Sequence, residues 1–159
     1  MKRFLTVLMA AALVLTVMGC GGASGSETTD VDVSELADAM LDALAPAGAM
    51  TEMGEELAVS YYDMGEGLVS EYKIYMSGVY LAEEVALFRL SSPDKAEEGK
   101  SMLEKRIQDL KDNFDGYLPD QYDAMVNATI LQQGDLVCFV VGGEPGLSDA
   151  KAVFEKAVK

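Results

Sequence analysis

Between residues 68 and 141 the apolar positions change period twice, and this constrains the fold more than any other feature of the chain. In residues 68–76 (LVSEYKIYM), Tyr72, Ile74 and Met76 fall on one side and Glu71, Lys73 and Tyr75 on the other. Successive side chains of a strand point to opposite faces, so this alternation predicts a half-buried strand with Tyr75 turned away from the core. Residues 84–90 (EVALFRL) are apolar on both sides and predict a central strand. Ser77-Gly78 begins the turn between the two, which are close enough in sequence to pair antiparallel. From Ser92 the spacing becomes helical. Pro93 suits a first helical position, and Ala96, Leu103, Ile107, Leu110 and Phe114 share one face with Gly99 and Met102 beside it. Gly116 is a natural stop. The period of two returns in residues 127–132 (NATILQ) and 136–141 (LVCFVV), around the hairpin signal Gln133-Gly134-Asp135.

The flanks are helical. Val33, Leu36, Ala37, Met40, Leu41 and Leu44 recur at helical spacing and predict a helix over 33–45. Asp32 and Glu35 are spaced as a capping pair, Val31 is placed to staple onto Leu36, and Pro46 and Gly48 end the segment. Residues 55–63 (EELAVSYYD) read as a short helix or an irregular turn, and residues 119–126 as a further helical turn. After the 142–146 loop (GGEPG), Leu147, Ala150, Val153, Phe154 and Ala157 are in register for a final helix. Two strand pairs joined by a long crossover helix predict an α+β two-layer sandwich. Its antiparallel sheet has about four strands, with the helices packed mainly on one face. Residues 31–159 are enough for one domain of ordinary size.

The first thirty residues speak of address. Lys2 and Arg3 precede a fifteen-residue run, 4–18, broken only by Thr6 and Thr16. A membrane-spanning helix needs about 20 apolar residues and a signal-peptide core about 7–15. No charged stop-transfer flank follows, so residues 1–19 read as a signal peptide. Val17-Met18-Gly19-Cys20 resembles the bacterial lipobox. That resemblance implies a diacylglyceryl group on the Cys20 sulfur and cleavage that leaves Cys20 as the mature N-terminus. Stable anchoring needs two membrane signals, and two acyl chains supply both. Residues 21–30 (GGASGSETTD) read as a flexible polar spacer, so that 20–30 form a lipidated tether on the outer face of the membrane.

Composition removes whole classes of function. Cleavage takes away Lys2 and Arg3, leaving ten basic residues against 27 acidic ones, a formal charge of −17. Such a surface disfavours nucleic acid and repels anionic lipid, so the membrane is held through Cys20 alone. The sequence has no histidine and no tryptophan. The usual zinc sites, Cys-His dyads and Ser-His-Asp triads are therefore excluded, and neither a metal nor a cofactor is expected. Once Cys20 is lipidated, Cys138 has no disulfide partner. Within LVCFVV it reads as a small core hydrophobe.

The segments SEYKIYMS, AEEVALFRL and LEKRIQDLKDNFDGYLPDQYDAMVNATILQQGDLVCFVV resemble the domain of unknown function 4358 family. The resemblance covers roughly residues 36–141. Its most specific part is Arg106, Gln108, Phe114, Tyr117, Pro119, Gln121, Tyr122 and Asn127, in that order. It implies a lipoprotein or secreted protein of a Firmicutes-type bacterium. It carries no established activity and transfers no catalytic role.

Three groups of residues bear on chemistry. Five of the seven tyrosines, Tyr61, Tyr62, Tyr72, Tyr75 and Tyr80, fall in one twenty-residue span. They suit either a tyrosine-rich sheet or an aromatic binding surface, with Tyr75 the best candidate for the latter. Arg106 and Gln108 with Tyr117, Gln121 and Tyr122 form a candidate polar patch, in which Arg106 either receives a carboxylate bidentately or ties down the carbonyls of the Pro119 turn. Asp109, Asp112, Asn113 and Asp115 lack the ligand alternation and closing glutamate of a calcium loop and read as a solvated helix end. Adjacent carboxylates such as Glu83-Glu84 point apart in regular structure, and so make no ready acid–base pair. The reading is a membrane-anchored, extracytoplasmic binding or protein-interaction module with a protein or cell-wall partner and no enzymatic signature. The alternative is a cell-envelope hydrolase using carboxylates and tyrosines.

Overall fold

A computed structural model of the protein describes residues 28–78 and 80–159. The signal peptide, Cys20 and most of the spacer lie outside the described residues. The element order is α1 (Val33–Leu44), β1 (Thr51–Glu52), α2 (Glu55–Tyr61), β2 (Val69–Met76), β3 (Glu84–Leu90), a 3-10 turn (Pro93–Lys95), α3 (Ala96–Phe114), α4 (Pro119–Val126), β4 (Thr129–Gln133), β5 (Leu136–Val141) and α5 (Gly146–Ala157). The strands form one sheet in the order β1-β2-β3-β5-β4, with every neighbouring pair antiparallel. This is the expected α+β fold with an antiparallel sheet. It has five strands where about four were expected. The extra one, β1, pairs only Thr51 with Met76 and Glu52 with Tyr75, and is too short to show a period.

The layering differs from the expected two-layer sandwich. Helices cover both faces of the sheet. Ala86, Phe88 and Leu90 of β3 and Val137, Phe139 and Val141 of β5 pack with residues of α2, α3 and α4 in a first core. The intervening Val85, Leu87, Leu136, Cys138 and Val140 pack with α1 and α5 in a second. The cause is visible in the two central strands, which are apolar on both sides and would leave one face wet in a two-layer structure. Tyr75 is corrected by the same observation. It leaves the first core as expected, but packs on the second, and its hydroxyl donates to Asp38 of α1.

Local signals explain most boundaries. Asp32 caps α1, its Oδ1 accepting from the Glu35 amide at 2.8 Å. The β4–β5 turn passes through Gly134 at φ +55°. At the other end of β5, Gly146 begins α5 against the end of α1, so closely that a Cβ would stand 1.9 Å from the Leu44 carbonyl oxygen. On α3, Lys105 pairs with Asp109 at 3.1 Å as its spacing suggests, whereas Lys100, four residues before Glu104 and so spaced to pair with it, pairs with Glu97 at 2.9 Å instead.

Candidate functional site

Glu84 opens β3 and shares its parity with Ala86 and Phe88, so its carboxylate points into the first core with only 2% of its surface exposed. A carboxylate in that position is costly unless it is paired and hydrogen-bonded. The partner comes from α3. Arg106, itself 5% exposed, places Nη2 2.7 Å from Oε2 and Nε 3.3 Å from Oε1, a bidentate arrangement. The Tyr62 hydroxyl donates to Oε1 as well. The rings of Tyr61 and Tyr62 lie 4.6 and 5.5 Å from the guanidinium carbon, adding cation–π attraction.

The electrostatics follow from burial. Burial pushes the Tyr62 phenol well above its ordinary value, and the negative Glu84 beside it adds to the rise. Burial opposes the charge on Arg106, but Glu84 more than restores it, so the guanidinium is held protonated even more firmly than usual. The cluster is a charge-balanced unit, anchored to the sheet by Glu84 and to α3 by Arg106.

Above it opens a cavity of about 450 Å³, a size suited to a small ligand. Glu84 and Arg106 form part of its lining. Tyr61 comes from the end of α2, Ser77 and Leu81 from the β2–β3 loop, Asp109 and Asn113 from α3, and Tyr117 from the link after it. Tyr117 is 67% exposed. The lining thus combines aromatic faces, hydroxyls, an amide and a carboxylate around a neutralised base.

The residues singled out in the sequence separate here. Arg106 and Tyr117 line this one cavity. Arg106 neither awaits an external carboxylate nor bonds the Pro119 turn, because Glu84 occupies it. Gln121 holds the β2–β3 loop from α4, its Oε1 accepting the Ala82 amide at 2.8 Å. Tyr122 is half-buried against the first core, and Gln108 donates to Asp112 at 2.7 Å. Tyr75 belongs to the opposite face. In the sequence Tyr61 belongs to the tyrosine-rich span, Asn113 to a solvated helix end and Glu84 to a pair of adjacent carboxylates, and nothing there places the three at one site. The available signal was the acidic residue at an inward position of an otherwise apolar strand, a place tolerated only with a buried cationic partner.

Cys138 is fully buried in the second core, and burial pushes its thiol far up, away from the reactive thiolate. Among the described residues no cluster of carboxylates and cysteine is suited to hold a metal ion, and no helix is long and apolar enough to cross a membrane.

One family model, described as a domain of unknown function (DUF4358), matches residues 45–142. The match runs from the end of α1 to the end of β5 and contains the whole cavity, while α1 and α5 flank it. No curated protein and no solved structure matches the chain.

Proposed function

The chain belongs to the DUF4358 family, and on that premise we propose that it is a lipid-anchored, extracytoplasmic binding module that takes a polar ligand of the bacterial cell envelope into the cavity above Glu84 and Arg106. The observation that carries this reading is the cavity itself. Its aromatic rims at Tyr61 and Tyr117 suit the faces of sugar rings or amide planes, and Ser77, Asp109 and Asn113 offer hydrogen bonds to hydroxyls and amides. The charge of its deepest groups is already balanced, which favours a neutral or zwitterionic ligand over a strongly charged one.

The signal peptide and Cys20 supply the address. Two acyl chains hold the mature chain on the membrane, and the acidic surface keeps the domain off anionic lipid. A binding role is favoured over hydrolysis by the state of Glu84. Both of its oxygens are committed to Arg106 and Tyr62, which leaves neither free to meet a substrate.

Two experiments test the two halves. Radiolabelled palmitate should label the wild-type chain and not Cys20→Ala; a labelled mutant overturns the anchor. Calorimetric titration with soluble peptidoglycan fragments should show saturable binding that Tyr117→Ala weakens about tenfold, the effect of losing one aromatic contact of about 1.4 kcal/mol. Affinity unchanged by Tyr117→Ala would move the site elsewhere.

A further inference from the structure

The N-terminal approach to the domain is clipped at the end of the sheet remote from the cavity. Arg89, the next-to-last residue of β3, donates through Nη1 to the Thr29 carbonyl at 2.8 Å and through Nη2 to the Val31 carbonyl. The same guanidinium binds Asp135 at 3.0 Å and Glu71 at 3.3 Å. Asp135 in turn accepts the Thr29 amide at 2.8 Å, and the Thr29 hydroxyl donates to the Gln133 carbonyl at 3.3 Å. The chain is therefore tied to the β4–β5 turn before α1 begins.

The cavity lies at the other end. Its lining includes Met76 at the end of β2 and Glu84 at the start of β3, which pair with each other. From Glu84 to Leu90 a seven-residue strand covers about 20 Å. Arg89 has the parity of Val85 and Leu87 and so lies on the α1–α5 side, whereas the cavity lies on the α2–α3 side. Clip and cavity are diagonally opposed.

From this we infer that the anchored domain is held by its Thr29 pole and turns the cavity away from the lipid, so that the ligand is met from the side of the cell wall and is not a lipid headgroup. The inference rests on the lipidation of Cys20 proposed above. Eight residues separate Cys20 from Thr29. Fully extended, that stretch spans at most about 30 Å. To bring the cavity pole to the bilayer, the chain would have to run about 20 Å back along the domain and past its loops, close to its limit. Drawing the tether taut sacrifices conformational entropy, which favours the opposite orientation.

The test uses the full processed chain in vesicles of phosphatidylcholine and phosphatidylglycerol carrying a headgroup acceptor dye. A donor dye is placed on Glu66→Cys, an exposed position at the clip end of the sheet, next to Gly67 whose carbonyl accepts from Ser91, or on Tyr80→Cys, an exposed position in the β2–β3 loop. Co-flotation with vesicles reports anchoring separately, and its loss would overturn the lipidation reading. In floated protein, energy transfer from position 66 should exceed that from position 80 severalfold. Inserting a long Gly/Ser stretch between Ser24 and Gly25, which leaves the domain unaltered, should abolish the difference. Equal or reversed transfer in the native-length chain, or a difference that survives the insertion, would overturn the inference.

Discussion

The two ends of β3 each carry an arginine–carboxylate pair, and the two pairs do different work. At one end Glu84 and Arg106 are sealed in the first core under two tyrosine rings, and every partner is a side chain. At the other end Arg89 is 17% exposed and divides itself between two carboxylates and two backbone carbonyls. The first pair joins the sheet to α3 and lines the cavity. The second fastens the incoming chain. Burial decides which is costly to break: Glu84, 2% exposed at the floor of the cavity, meets little water when stripped of its partner, whereas Arg89 at the rim meets more.

The largest effect is therefore expected at the sealed end. Arg106→Ala should lower stability by about 3–5 kcal/mol, measured by urea denaturation, because it leaves Glu84 buried and unpaired. Glu84→Met and Arg106→Met combined with Tyr62→Phe, which removes the hydroxyl that donates to Glu84, should recover most of that loss, since apolar replacement of every member of a buried polar cluster is often neutral or better. If the triple variant is as unstable as Arg106→Ala, the three residues do not form the self-contained unit described here. Arg89→Ala should cost less, about 1.5–3 kcal/mol, and should raise amide exchange at Thr29 and Val31 while leaving the cavity residues unchanged. Gly146→Ala probes the α1–α5 face and should cost about 1–3 kcal/mol through its clash with the Leu44 carbonyl.

Tyr62 of the sealed cluster and Cys138 of the second core together give stability a pH dependence on the alkaline side. Burial raises the Tyr62 phenol above its ordinary 10.0 and the Cys138 thiol above its ordinary 9.0. Above those values the unfolded chain releases protons that the folded chain retains, so stability is intact below about pH 9 and falls as pH rises further. Tyr62→Phe should flatten the part of that fall above pH 10, read from denaturation midpoints between pH 8 and 11. The smallest effect belongs to the surface. Lys105→Ala removes an exposed pair with Asp109 and should change stability by less than about 1 kcal/mol.

The strands and helices were legible because their signals are local. The alternation in β2, the doubly apolar β3 and β5, the Asp32 cap and the Gly134 turn each depend on residues a few positions apart. The layering was legible in principle, since strands apolar on both sides demand cover on both sides. What could not be read was pairing across the chain. Nothing near Glu84 indicates that Arg106, 22 positions away, is its partner. Nothing near Thr29 indicates Arg89 and Asp135. Arg106 stood out in the sequence as part of a candidate polar patch, and only the fold shows it turned inward onto Glu84. The family match divides along the same line. It covers the sheet and the cavity and leaves outside it α1 and α5, the two helices that close the second face.

The central claim is that the cavity end of the sheet receives the ligand and the clip end holds the chain. Amide chemical-shift mapping of residues 28–159 during titration with soluble peptidoglycan fragments tests it directly. The account predicts saturable shifts concentrated at Tyr61, Ser77, Asn113 and Tyr117, with Thr29, Arg89 and Asp135 unmoved. Shifts centred on the clip or on the α1–α5 face would contradict it.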